Sequence, residues 1–410
     1  MSELALLGGR PAFEESLASR VAWPPVDDRT AQKLAELYYS RRWSAFDETE
    51  SEFAEAFAKL HDASHGIFTI NGTVTLQCGL GAYGIGPGDE VIVPAVTWYA
   101  TAMAPHYLGA TPVFVDVLPD TLCIDPDKIV AAITERTRAI IPVHLYGSMA
   151  DMDRIMAIAK AHRLRVIEDC AHMHGGVWNG HGIGSIGDVG SFSFQHSKTM
   201  GCADGGMCIT SDAEIADRIF RMKHIGYGPG EHPGNIRQPP PRDLKCYNFR
   251  ATAFTALILH EQLHSLVERL GRYGAAVRYL ENRLGQTTNI RFQKPGRRAD
   301  RQGYYGWNMI FDAPRYEGIP ISLIRQALAI EGVPVGVVWD PVYRFILFNL
   351  EPNAYRIPEP CTVAERLVPR ALWLMHAYLD VDESDLDRIA EAIEKVDAQA
   401  DALRVHAKAS

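Results

Sequence analysis

Seven short apolar runs constrain the fold of this chain more than any other feature. Residues 64–70, 90–94, 111–117, 138–143, 165–168, 189–194 and 206–210 each have the length and branched-apolar content of a buried strand. Helical patterns, such as 152–162 and 212–224, lie between some of them. A strand that is apolar on both faces must be covered on both faces. The rhythm therefore predicts an α/β fold: a mostly parallel central sheet with helices on either side.

At 410 residues the chain is too long for one simple core, so a large domain with a smaller companion is expected. Residues 1–45 read as an N-terminal arm and helix, the helix around 29–39, followed by Ser40-Arg41-Arg42-Trp43-Ser44 as an exposed stretch suited to docking on a partner subunit. Residues 46–260 hold the apolar runs and form the expected large domain. Residues 261–410 form the expected small C-terminal α+β domain, with elements at 306–311, 322–331 and 384–397. A helical pattern starts at Thr252 and continues to about Leu284, after a Gly- and Pro-rich loop, 226–245, that is too long for a simple connection.

Charge removes several function classes. With 41 basic and 50 acidic residues the net charge is −9, which attracts neither nucleic acid nor an anionic membrane. No apolar stretch approaches the ~20 residues of a spanning helix, and Met1-Ser2-Glu3-Leu4 lacks the basic flank of a signal peptide. A cytoplasmic location is expected. The seven cysteines are dispersed without a C-x-x-C pair, so they read as small buried side chains rather than as disulfides or zinc ligands.

The chemistry is concentrated at the ends of the apolar runs. Asn71-Gly72-Thr73 stands between a strand and a helix, where backbone N–H groups and a hydroxyl can face an anion such as phosphate; alone, it reads more readily as plain helix capping. Trp98 leaves its strand on the side where open α/β sheets bind ligands and can stack on a heteroaromatic ring, or simply fill a core. Asp169 closes 165–168 and can pair with a protonated pyridine nitrogen, with His172 three residues on to steady it. His172, His174 and Asp169 also invite a metal reading. No H-E-x-x-H or C-x-x-C accompanies them, and no metal is expected. Lys198 follows the run that ends in Ser193-Phe194, and Ser193 can share a phosphate with Thr73. Phosphate cup, ring stacker, pyridinium partner and amine occur in that order, which is what pyridoxal phosphate requires. The glycines of Gly182-Ile183-Gly184-Ser185-Ile186-Gly187 match a dinucleotide fingerprint in spelling only, because a strand rather than a helix follows them.

Together with Gly86-Pro87-Gly88-Asp89-Glu90-Val91-Ile92-Val93-Pro94, Pro142-Val143-His144-Leu145-Tyr146-Gly147, Glu168-Asp169-Cys170-Ala171-His172 and Tyr247-Asn248-Phe249-Arg250, these pieces resemble the DegT/DnrJ/EryC1/StrS sugar and cyclitol aminotransferases, a branch of the fold-type-I pyridoxal phosphate enzymes. The resemblance spans nearly the whole chain. It implies a homodimer with shared active sites. It also implies Gly72, Thr73 and Ser193 on the phosphate, Trp98 over the ring, Asp169 on its nitrogen, His172 beside it, Lys198 as the amine, and Asn248 reaching the partner subunit's phosphate. Family dehydratases commonly carry histidine in place of the lysine, so Lys198 points to transamination. Asp204 stands where the family usually has glutamate. Trp339-Asp340-Pro341-Val342-Tyr343-Arg344 and the opening Leu6-Leu7-Gly8-Gly9-Arg10-Pro11 are similar to the inosose and aminohydroxybenzoate synthase branch. The implied activity is amino transfer from glutamine or glutamate to a cyclitol ketone in aminocyclitol antibiotic biosynthesis, with Tyr343, Arg344 and His376 as candidate substrate contacts. The alternatives are a nucleotide-sugar aminotransferase and an aminohydroxybenzoate-synthase-like dehydratase.

Overall fold

A computed structural model describes residues 3–44, 48–232 and 234–409. All seven apolar runs form strands of one sheet, in the spatial order His65–Thr69, Gly206–Thr210, Val189–Ser193, Arg165–Asp169, Thr137–Ile140, Glu90–Pro94, Thr111–Val115. The last five of these are mutually parallel, and Gly206–Thr210 runs antiparallel to both of its neighbours. The run 138–143 leaves the ladder early, at Ile140, two residues before Pro142, which has no N–H to donate. Val143 then makes only an isolated bridge to Asp169.

Alternation along the strands divides the apolar residues between two cores. Ile67, Val91, Val93, Ile167, Val189 and Cys208 face the helices Gly72–Ala82, Ala100–Tyr107 and Ala213–Lys223. Phe68, Ile92, Val166, Phe192 and Ile209 face the helices Glu48–Leu60, Met152–His162 and Ala253–Thr287. In the second core Phe53, Phe57, Phe68 and Phe194 meet edge-on or tilted, with centroids 5.2–6.1 Å apart. Burying each such ring contributes about 1.5–3 kcal/mol. The seven cysteines are free, and all but Cys246 are buried. No described helix is long and apolar enough to cross a membrane.

The 35-residue helix Ala253–Thr287 carries the chain from this sheet to a second one, Arg291–Phe292, Gly306–Ile310, Ala371–Met375 and Val335–Val337, all antiparallel. Helices Ile321–Ile330, Glu383–Ala398 and Ala400–Ala409 accompany it. The N-terminal segment is tied to this half. Buried Glu331 accepts the amides of Ala5 and Ala12, each at 2.8 Å, and the Lys395 ammonium at 3.0 Å. The expected division at 45/46 lies outside the described residues.

Candidate active site

The parallel strands deliver their last residues to one edge, and the candidate residues collect there. Asp169 is the final residue of Arg165–Asp169 and Ser193 that of Val189–Ser193. Asn71 caps the helix Gly72–Ala82, its Oδ1 accepting the Val74 amide at 3.0 Å. A single cavity of about 410 Å³ is lined by Gly72, Thr73, Trp98, Asp169, His172, Ser193 and Lys198, seven of the residues singled out from sequence. Gly72 must be glycine at this place, because a Cβ there would lie 2.5 Å from the Ser193 Cβ. The close approach sets the helix N-terminus directly beside the Ser193 hydroxyl.

Asp169 is 6% exposed. Its Oδ2 accepts from the Thr101 hydroxyl at 2.7 Å and its Oδ1 from the Ala171 amide at 3.2 Å, while Thr97 and Thr101 share a hydrogen bond of 2.8 Å. Burial raises the carboxyl pKa; the Thr101 bond, the Ala171 amide and the Lys198 charge oppose that rise. Across the cavity, burial pushes the Lys198 amine down to about 8, against the pull of Asp169. Its Nζ stands 4.4 Å from the centre of the Tyr305 ring.

His172 receives the Tyr146 amide on Nδ1 at 3.2 Å, which leaves its proton on Nε2. Its ring stacks on Tyr305 at 3.9 Å and 13°. Burial, helped by the Lys198 charge, holds His172 well below the usual imidazole range, so the ring is neutral. His174 bonds instead to the Ser193 carbonyl at 2.9 Å. His172, His174 and Asp169 thus have separate partners rather than a common centre. Trp98, 38% exposed, sits among Tyr99, Trp339 and Phe345 at centroid distances of 4.8, 5.2 and 5.6 Å.

The glycine-rich turn at 182–187 serves the protein's own carboxylate. Buried Glu168 accepts amides from Gly184 at 3.0 Å, Ile186 at 2.9 Å and Gly187 at 2.6 Å, and His144 Nε2 lies 3.2 Å away. This anchors the strand end that carries Asp169.

Four predicted residues do not line the cavity. Asn248 is exposed on the segment that bridges to His224. Tyr343 and Arg344 both turn to Glu365, at 3.0 and 2.8 Å. His376 is fully buried behind Tyr305, its Nδ1 3.0 Å from the Tyr305 carbonyl. In their place the cavity gains Thr101, Gln195, Ser197, Asp204, Tyr305 and Trp339. The Thr97/Thr101 spacing of four on a helix start was a readable signal for Thr101. Nothing local marked Tyr305, which reaches the cavity only because the second sheet packs against the first.

Comparison with known proteins places the chain among relatives. The profile of the DegT/DnrJ/EryC1/StrS aminotransferase family matches residues 24–394. The L-glutamine:2-deoxy-scyllo-inosose aminotransferase of Streptoalloteichus tenebrarius is 34% identical over 402 residues, 91% of this chain and 93% of the relative. The enzyme of the same name from Streptomyces kanamyceticus is 35% identical over 399 residues, 91% of this chain and 92% of its own. The crystal structure of 3-amino-5-hydroxybenzoic acid synthase superposes with a TM-score of 0.84 at 29% identity, over 92% of this chain and 98% of that one. By sequence and by fold, the chain belongs to the DegT/DnrJ/EryC1/StrS aminotransferase family.

Proposed function

We propose that this aminotransferase uses pyridoxal phosphate to move the amino group of glutamine, or glutamate, to the ketone of an inosose-like cyclitol in aminocyclitol biosynthesis. The observation that carries the reading is Lys198 and Asp169 facing one cavity, an amine with its pKa lowered to about 8 opposite a buried carboxylate. The cofactor suits this donor set: a carboxylate for the ring nitrogen, a tryptophan for its face, and a helix N-terminus with Thr73 and Ser193 for the phosphate. When bound, it supplies an aldehyde that exchanges amines and a ring that accepts electrons.

The chain's residues do the rest. Gly72, Thr73 and Ser193 would hold the phosphate, Trp98 would cover the ring, and Asp169, oriented by the Thr101 hydroxyl, would keep a proton on the ring nitrogen. Lys198 would hold the cofactor's aldehyde carbon, and its amine is the group placed to carry a proton at the donor's α-carbon. Tyr305 and His172, stacked, form the wall under that amine. Residues 46–260 act as the cofactor-binding domain, and residues 261–410 as the domain that closes the site with Tyr305 and Trp339. Two copies form a dimer in which Asn248 reaches the partner subunit's phosphate. Its small-molecule substrates suit the cytoplasm.

Polyol acceptance is supported by Gln195, Ser197, Asp204 and Tyr305 in the lining, where Lys198 is the only lysine or arginine among the described residues. A nucleotide diphosphate would call for more cations. The likeness to 3-amino-5-hydroxybenzoic acid synthase supports a second reading, a dehydratase that works on a cyclic ketone. A half-reaction screen separates the two. Glutamine should bleach the bound cofactor's visible band and a cyclitol ketone should restore it; water loss from the ketone without amino transfer would replace the first reading by the second.

A further inference from the structure

Thr97 and Thr101 stand on either side of Trp98 at the start of the helix Ala100–Tyr107, and both are buried, at 2% and 1% exposure. A threonine at a helix start ordinarily accepts a backbone amide. Here Tyr99 holds the N-cap position without any side-chain cap, and the threonine hydroxyls serve no amide of the helix. They are joined to each other at 2.8 Å, and Thr101 reaches Oδ2 of Asp169 at 2.7 Å. Neither hydroxyl makes another hydrogen bond among the described residues.

Proton counting sets the direction of this chain. A carboxylate can only accept. Thr101 has one hydroxyl proton and spends it on Asp169, so Thr97 must donate to Thr101. Both O–H dipoles then point toward Oδ2, and each strengthens the next. Oδ1 takes the Ala171 amide at 3.2 Å. One partner on each oxygen fixes the plane of the carboxylate and leaves lone pairs for a proton brought by a ligand. The other titratable groups that act on Asp169 are Lys198, His144 and Cys170, and none of them is bonded to its carboxylate. Trp98 is tied into the same arrangement, because its carbonyl accepts the Thr101 amide at 3.1 Å.

We propose that Thr101 and Thr97 are positioning residues for the ring-nitrogen proton: a two-hydroxyl chain that fixes the carboxylate plane of Asp169 and locks the Trp98 turn to the same strand end. This role presupposes bound pyridoxal phosphate, as proposed above. A heteroaromatic ring between Trp98 and Asp169 needs its face and its in-plane nitrogen met together. A carboxylate free to turn about its last bond would meet the nitrogen only part of the time. Burial favours the neutral acid, which would donate along the chain instead of accepting from it. The Thr101 bond is the largest of the effects that oppose this.

The first measurement needs no cofactor. In cofactor-free protein labelled with carbon-13 at the aspartate side-chain carboxyls, the Asp169 resonance is the one missing from Asp169→Asn, and its pH titration reports on the hydroxyl chain. Thr101→Val removes the donor and keeps the shape, and should raise the Asp169 midpoint by about one pH unit. Thr97→Val should raise it by a smaller step, about 0.3 unit. Thr101→Ser keeps the hydroxyl and should titrate like the parent. Loaded with pyridoxal phosphate and given glutamine, Thr101→Val should retain cofactor in dialysis yet lose about tenfold in kcat with little change in KM, and Thr101→Ser should recover the loss. Should Thr101→Val fail to fold, the Thr97→Val titration decides, an unmoved midpoint counting against the chain. A midpoint unmoved in Thr101→Val, or a serine variant that behaves like the valine one, would overturn the positioning role. A shifted midpoint in protein that takes up no pyridoxal phosphate would instead overturn the cofactor assignment, so the two failures read differently.

Discussion

Burial moves the pKa values of both Lys198 and Asp169 toward neutrality, the amine down and the carboxyl up. Only the unprotonated amine can attack an aldehyde. With an amine pKa of about 8, capture of pyridoxal phosphate by cofactor-free protein should speed up as pH rises through 8 and level off above it. Stopped-flow absorbance across that range is the measurement, and a rate independent of pH would contradict the lowered value. Lys198→Ala should leave no cofactor fixed to the chain by borohydride; covalent trapping at another lysine would remove Lys198 from its role. Asp169→Asn should still bind cofactor yet lose roughly 10²-fold or more in turnover, because an amide cannot hold the ring-nitrogen proton as a carboxylate does. Near-normal turnover would disprove that role.

At the scale of elements, the site depends on how closely the helix Gly72–Ala82 approaches the end of the strand Val189–Ser193. Gly72→Ala forces a Cβ to 2.5 Å from the Ser193 Cβ and must push the two apart. The expected cost is about 1–3 kcal/mol of stability, together with weaker cofactor binding, read by thermal melting and equilibrium dialysis of the same preparation. Dialysis indistinguishable from the parent would show that this contact does not shape the phosphate cup. A second element-level junction is Glu331, fully buried between the N-terminal segment and Lys395. Glu331→Ala leaves two amides unpaired, while the Lys395 ammonium keeps the Arg10 carbonyl at 2.8 Å and Glu391 at 3.6 Å, and should cost about 1–3 kcal/mol in urea unfolding. A loss below about 1 kcal/mol would mean that water replaces the carboxylate there.

For the whole molecule, the proposed dimer makes a quantitative claim. If Asn248 serves the partner's site, mixing Lys198→Ala and Asn248→Ala subunits rebuilds one intact site in each mixed dimer. Random reassociation would then restore about a quarter of the sites, since half the dimers are mixed and each has one good site of two. Activity that stays at the level of the separate variants would place Asn248 in its own subunit's site. The N-terminal segment, hydrogen-bonded to Glu331 and Gly332 and ion-paired from Arg20 to Asp385, adds a long-range closure within each copy.

Strand positions, the helices at 152–162 and 212–224, and the strand-end placement of Asp169 and Ser193, with Lys198 in the loop that follows, were readable from sequence. Their signals are local: side chains alternate with period two along a strand, and the C-terminal ends of parallel strands must share one edge. The aromatic wall was not readable in this way. Tyr305 enters the cavity from the second sheet, and Tyr343, Arg344 and His376, close by in sequence to plausible contacts, turn instead to Glu365 or into the core. Which distant side chain meets a pocket is decided by how two sheets and a 35-residue helix pack. Packing is a property of the whole surface in contact, and no single stretch of residues encodes it.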